Sequence, residues 1–137
     1  MDVTPLLGEN QKTVQSYAAG RFRISGTVFE TDVIVWGSTA LPWLQAPDVG
    51  KEVMGNDRER QIENLLSSLA KLDFLSGEIE ILLVGSGKRG FVFPPSARQK
   101  LKGICSSIEV MDTGAACRTF NVLTAEGRKV GAALLRI

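Results

Sequence analysis

Apolar and polar residues alternate from Arg21, where Phe22 and Ile24 flank Arg23 and Val28 follows a Ser25-Gly26 pair. Period two is the spacing of a half-buried strand, and a Ser-Gly pair between two such runs reads as a tight turn. A hairpin is predicted, its second strand running through Thr27–Thr31. Val33-Ile34-Val35-Trp36 is continuously apolar and ends at Gly37, the pattern of a strand covered on both faces. From Gly37 to Gly55 no period holds. Pro42, Pro47, Gly50 and Gly55 interrupt the segment, yet Leu41, Trp43, Leu44, Val49 and Met54 are apolar, so an irregular loop anchored by apolar side chains is expected.

The period then changes. Asn56 precedes Glu59 by three, as in a capping box, and Ile62, Leu65, Leu66, Leu69 and Leu72 follow at helical spacing. A helix over about Asp57–Leu72 is predicted, with that face, Leu66 included, buried. Glu78–Val84 reads as a buried strand and Gly85–Gly90 as a glycine-rich turn. A short helix over about Pro95–Gly103 follows, since proline suits a first helical position. Ser107–Met111 is a short strand. Asp112 or Thr113 caps a helix to about Ala125, with Ala116, Phe120 and Leu123 on its apolar face and Gly127 beyond its end. Lys129–Leu135 is a last strand. Strands alternating with helices imply parallel pairing through right-handed crossovers. The antiparallel first part makes the whole a mixed α/β layered domain, with Ile81–Val84 expected at the centre of the sheet. Residues 1–16 are polar, with Pro5, Gly8 and Asn10, and are expected to be a flexible arm ahead of a single domain over 17–137.

Composition narrows the chemistry. The 137 residues are 44% hydrophobic, and Lys plus Arg (16) nearly balances Asp plus Glu (15) for a net charge of +1. That balance argues against a general nucleic-acid binder or a membrane-surface module. No apolar run approaches the roughly 20 residues that span a bilayer, so no membrane insertion is expected. Histidine is absent, which removes the Ser-His-Asp triad, the Cys-His dyad and His-containing zinc sites. Cys105 and Cys117 are too few for a disulfide framework or a Cys-based zinc site. Neither metal nor cofactor is expected. The N-terminal stretch lacks the pattern of a secretory signal or a transit peptide, and a cytoplasmic protein with reduced thiols is expected.

Three places hold candidate chemistry. Gly85, Gly87 and Gly90 match G-x-G-x-x-G after a strand, with Glu109 and Asp112 near the distance of a ribose-binding acid. Phe91-Val92-Phe93-Pro94-Pro95 follows, however, so no helix opens there to receive a pyrophosphate. The turn is either a plain basic connection or an anion site built from backbone amides with Lys88 or Arg89. Along the next helix Thr113, Cys117, Asn121 and Thr124 form one stripe, with Arg118 beside it. Cys117 is either a thiol activated near a helix start or a small buried hydrophobe. Arg118 and Asn121 are expected to tie the helix to the glycine turn, and Arg118 to pair with Asp112. The candidate ligand or anion set is thus Gly85, Gly87, Lys88, Arg89, Asp112, Thr113, Cys117, Arg118 and Asn121. Leu41, Trp43 and Leu44, with Trp36, form either a partner-binding surface or a core tryptophan with an anchored loop.

Ile81–Pro95 (ILLVGSGKRGFVFPP) and Glu109–Leu135 (EVMDTGAACRTFNVLTAEGRKVGAALL) resemble the Mth-domain family of small proteins. The resemblance runs over about Tyr17 to Leu135. Its members include a mitochondrial complex I assembly factor and an animal adipogenesis-associated protein. It implies a three-layer β/β/α fold, a G-x-G turn at Gly85 and Gly87, and a T-G-x-A…N signature at Thr113, Gly114, Ala116 and Asn121. It further implies an accessory or assembly role through an unknown protein partner, with a homo-oligomer also open. The alternative is a small-ligand or anion-binding domain, or an enzyme, built on the glycine turn and the following helix start.

Overall fold

Residues 11–47, 57–88 and 94–137 are described by a computed structural model of the chain. The predicted arm within 1–10 lies outside them, as do Val49, Met54, the Asn56 cap and the turn residues from Arg89 to Phe93. The elements run β1 (Val14–Ser16), β2 (Phe22–Ile24), β3 (Thr27–Phe29), β4 (Val33–Trp36), β5 (Thr39–Pro42), α1 (Asp57–Ala70), β6 (Ile81–Gly85), α2 (Pro95–Lys100), β7 (Ser107–Met111), α3 (Thr113–Ala125) and β8 (Val130–Leu134). A short 3-10 turn, Asp73–Leu75, carries the chain out of α1.

Strands β1, β2 and β3 form a small antiparallel sheet. Ile24 pairs with Thr27, so Ser25 and Gly26 alone make the turn. Both adopt positive φ, 46° and 89°, the left-handed geometry a two-residue hairpin requires. Because Val14–Ser16 pairs with β2, residues 14–16 belong to the domain and not to the predicted arm.

The larger sheet has the order β5-β4-β8-β6-β7. Strand β6 is parallel to β7 and β8, while β4 is antiparallel to β8 and β5. The predicted parallel half is present, but β8 and not Ile81–Val84 is central. Topology explains the placement of the helices. The chain steps outward from β6 to β7 through α2, then back past β6 to β8 through α3. Right-handed crossovers in opposite directions put α2 and α3 on opposite faces.

Two cores result, and strand alternation divides them. Ile34, Leu82, Val84, Ala133 and Leu135 face Leu65, Leu69 and Leu72 of the first helix, together with Ala97 and Leu101. Val33, Val35, Leu83, Ala132 and Leu134 face Phe120, Ala116 and Cys117 of α3 with Val14, Phe22 and Ile24 of the small sheet. The layers are small sheet, large sheet and helices α1 and α2, the three-layer β/β/α order, with α3 lodged on the small-sheet side. Leu66 is only partly buried, because the apolar stripe centres on Leu65 and Leu69.

The predicted loop after Gly37 begins instead as a strand. Trp36 pairs with Thr39 and Val33 with Pro42. Trp43 N–H donates to the Asp32 carbonyl at 2.7 Å, so the neighbouring Pro42 sits where its missing N–H faces outward from the edge, the position an edge strand tolerates. At the opposite edge, Arg98 Nη1 donates to the Ile108 carbonyl of β7 at 2.9 Å.

Candidate functional site

The glycine turn and the start of α3 meet at the C-terminal ends of β6, β7 and β8. They meet by direct contact. A Cβ on Gly85 would stand 3.1 Å from Thr113 Cα and 3.0 Å from Leu134 Cδ2, so a glycine is needed for α3 to seat on the strand. Thr113 is the hub. Its backbone N–H donates to the Gly87 carbonyl at 2.9 Å. Its hydroxyl accepts from Gly87 N–H at 2.9 Å and donates to the Leu135 carbonyl at 2.7 Å. Ser86 gives both its N–H and its hydroxyl to the Met111 carbonyl. The Gly87 and Ser86 amides, read as a possible anion cradle, are therefore engaged within the protein.

Asp112 caps α3, its Oδ1 accepting from Ala115 N–H at 2.9 Å. Glu109 lies 3.6 Å from Arg98. Both acids considered for a ribose thus have internal partners. Lys88 is exposed, and Arg89 lies outside the described residues. Cys117 is 1% exposed, and burial pushes its thiol up to about 12 against the smaller opposing pull of Arg118. This is the environment of a packed, inert thiol and not of an activated one. Cys105 is also buried and free, donating to the Ser107 carbonyl at 3.2 Å, and its pKa is raised by burial.

The sequence leads one to expect Arg118 and Asn121 to tie the helix to the glycine turn; among the described residues they bond instead to the N-terminal layer. Asn121 Oδ1 accepts from Val14 N–H at 2.9 Å and its Nδ2 donates to Val14 C=O at 2.8 Å. The side-chain amide thus serves β1 as a one-residue substitute strand. Arg118 Nη1 donates to the Tyr17 hydroxyl at 2.8 Å, and no Arg118–Asp112 ion pair forms among the described residues. Gly114 lets the Tyr17 ring approach, since a Cβ there would be 3.2 Å from Tyr17 Cε2. Tyr17 and Val14 were not singled out in the sequence, because contacts across some 100 positions leave no local pattern.

The candidate partner surface divides. Trp43 is 3% exposed and packs in the first core, so it cannot be a surface anchor; its Nε1 finds no acceptor among the described residues. Leu41 (44% exposed) and Leu44 (86%) remain on the surface beside the β5 edge. No helix among the described residues is long and apolar enough to cross a membrane.

Known proteins share this architecture. An uncharacterised protein of Rhodobacter capsulatus is 32% identical over 122 residues, 89% of this chain and 82% of its own length. NADH dehydrogenase [ubiquinone] 1 alpha subcomplex assembly factor 3 of Danio rerio is 30% identical over 122 residues, 89% of this chain and 63% of its own. The chain therefore spans less than two thirds of that factor. Among solved structures, a Bordetella parapertussis protein superposes with a TM-score of 0.71 at 27% identity, covering 95% of this chain and 99% of that one. A Mth938-like domain of Bordetella pertussis does so with 0.67 at 25% identity, covering 94% and 88%. The resemblance read from Gly85, Gly87 and the Thr113–Asn121 signature is thereby borne out. By a match over residues 14–135, the chain belongs to the family described as protein of unknown function (DUF498/DUF598).

Proposed function

We propose that this protein is a non-enzymatic accessory or assembly protein that works by binding another protein in the cytoplasm. The observation that carries the reading is its likeness, along 89% of its length, to a relative named as an assembly factor. The site chemistry agrees. The polar groups of the signature are spent on holding the fold, and both thiols are free and buried, as suits a reducing compartment. Leu41 and Leu44 are the surface we assign to the partner, since exposed apolar side chains beside a sheet edge favour association.

The test is affinity capture from the native host with the wild-type chain and Leu44→Glu, followed by reconstitution of each captured protein with purified chain. A partner that binds the purified wild-type chain and is lost with Leu44→Glu, at unchanged melting temperature, is the expected result. Failure of any captured protein to bind directly, together with a thermal shift by NAD or phosphate that Lys88→Ala abolishes, would transfer the function to the glycine turn.

A further inference from the structure

A concavity lies at the end of the large sheet opposite the glycine turn, where β4 ends and β8 begins. It encloses about 410 Å³, within the range of small-molecule sites. Strand β6 separates it from the glycine turn by roughly 15 Å, the length of a five-residue strand. Its lining includes Trp36, Ser38 and Thr39 from the β4–β5 turn, Glu78 from the approach to β6, and Arg128 and Lys129 from the approach to β8.

Both walls are fixed. Trp36 is paired on one side with Thr39 and on the other with Gly131. Its ring lies 5.6 Å from that of Phe74 at an angle of 54°. The Gly37 carbonyl accepts from Lys12 N–H at 2.8 Å. On the other wall, Arg128 N–H donates to the Leu123 carbonyl at 3.0 Å, and the Lys129 carbonyl accepts from Glu80 and Ile81. The two cations thus project from pinned backbone. Neither Arg128 nor Lys129 forms an ion pair among the described residues, where the pairs are Arg98–Glu109 and Arg136–Asp32. The lining thus combines Trp36, two adjacent cations without an ion pair among the described residues, the hydroxyl residues Ser38, Thr39 and Thr124, and one carboxylate, Glu78. The cations match an anionic group, the indole a flat ring, and Glu78 a ring amine or sugar hydroxyl.

We propose that this cleft binds a small aromatic anion of the mononucleotide class, a planar ring carrying one phosphate. The phosphate lies between Arg128 and Lys129, and the ring rests against Trp36. The proposal is independent of the partner surface at Leu41 and Leu44.

The chain has two tryptophans, so Trp43→Phe leaves Trp36 as the only indole fluorophore. In that background adenosine monophosphate is titrated to roughly 10 mM, a range that detects dissociation constants near 1 mM. Inorganic phosphate and adenosine are titrated separately. A saturable change in Trp36 emission with the nucleotide is expected, weaker with either half alone. It should weaken about tenfold in Arg128→Ala and in Lys129→Gln, as loss of one charge-assisted bond predicts, and be unchanged in Lys88→Ala. The Trp36 indole N–H resonance in the otherwise wild-type chain supplies the same readout should the Trp43 variant fold poorly. No saturable response, or a response indifferent to Arg128 and Lys129, overturns the site. A response to phosphate equal to that of the nucleotide overturns the ring assignment.

Discussion

Thr113, which follows β7, joins the ends of β6 and β8 through one side chain, and its worth lies in what it leaves behind when altered. Thr113→Val keeps the shape but strips the partner from Gly87 N–H and from the Leu135 carbonyl. An orphaned buried group costs roughly 1–3 kcal/mol, and the part-buried Gly87 N–H falls toward the low end of that range. A loss of about 2–4 kcal/mol in urea unfolding is expected, with Thr113→Ser close to wild type. Trp43 makes the converse case. Its Nε1 has no acceptor among the described residues, so Trp43→Phe removes an unsatisfied donor along with some packing. The net change should stay within about 1 kcal/mol, far below the roughly 3–5 kcal/mol of a truncation to alanine. These residues also mark how far the sequence could be read. Thr113 and Asn121 stand out by their helical stripe, but their partners Leu135 and Val14 are remote in the chain, so the stripe suggests ligand chemistry where the fold itself is the ligand. Trp43 read equally well as surface or core, because an apolar residue in an aperiodic segment carries no directional signal.

At the scale of elements, what was legible depended on the length of the periodic run. The 14-residue helix α1 and the buried strands β4, β6 and β8 each repeat their pattern often enough to be recognised. Three-residue β1 does not, and its Val-Gln-Ser offers one buried position. Pro42 disguised β5, since proline opposes a strand everywhere except at an outward-facing edge position. The buried face of α1 is narrower than its apolar spacing predicts. Leu65 and Leu69 are fully buried, whereas Leu66 is only partly so. Leu69→Ala should therefore cost roughly 2–5 kcal/mol in chemical denaturation and Leu66→Ala less than about 2 kcal/mol, because the cavity term needs an enclosed site. Equal losses would mean that α1 is rotated about its axis relative to the sheet.

The whole molecule stands on one sheet with a core on each face, and each core contains one of the two thiols: Cys105 on the α1 and α2 side, Cys117 beneath α3. Burial raises both above the ordinary thiol value of 9.0, Cys117 to about 12. The folded state therefore holds the neutral thiol and the unfolded chain releases the proton first. The resulting stabilisation is fully present below about pH 9 and is lost as pH rises from there toward the folded-state value. At neutral pH almost no native thiolate exists at Cys117, so a thiol reagent should label it more slowly than it labels the unfolded chain. The slope is assigned by comparison with a variant and not by the wild-type curve alone. Cys117→Ala starts lower, having lost a packed side chain, but lacks this one titration. Between about pH 8 and pH 10.5 the wild-type curve should fall faster, and the gap between the two should narrow. Urea unfolding at half-unit steps of pH reads it directly, and two parallel curves would place Cys117 in contact with water and return it to the list of reactive thiols.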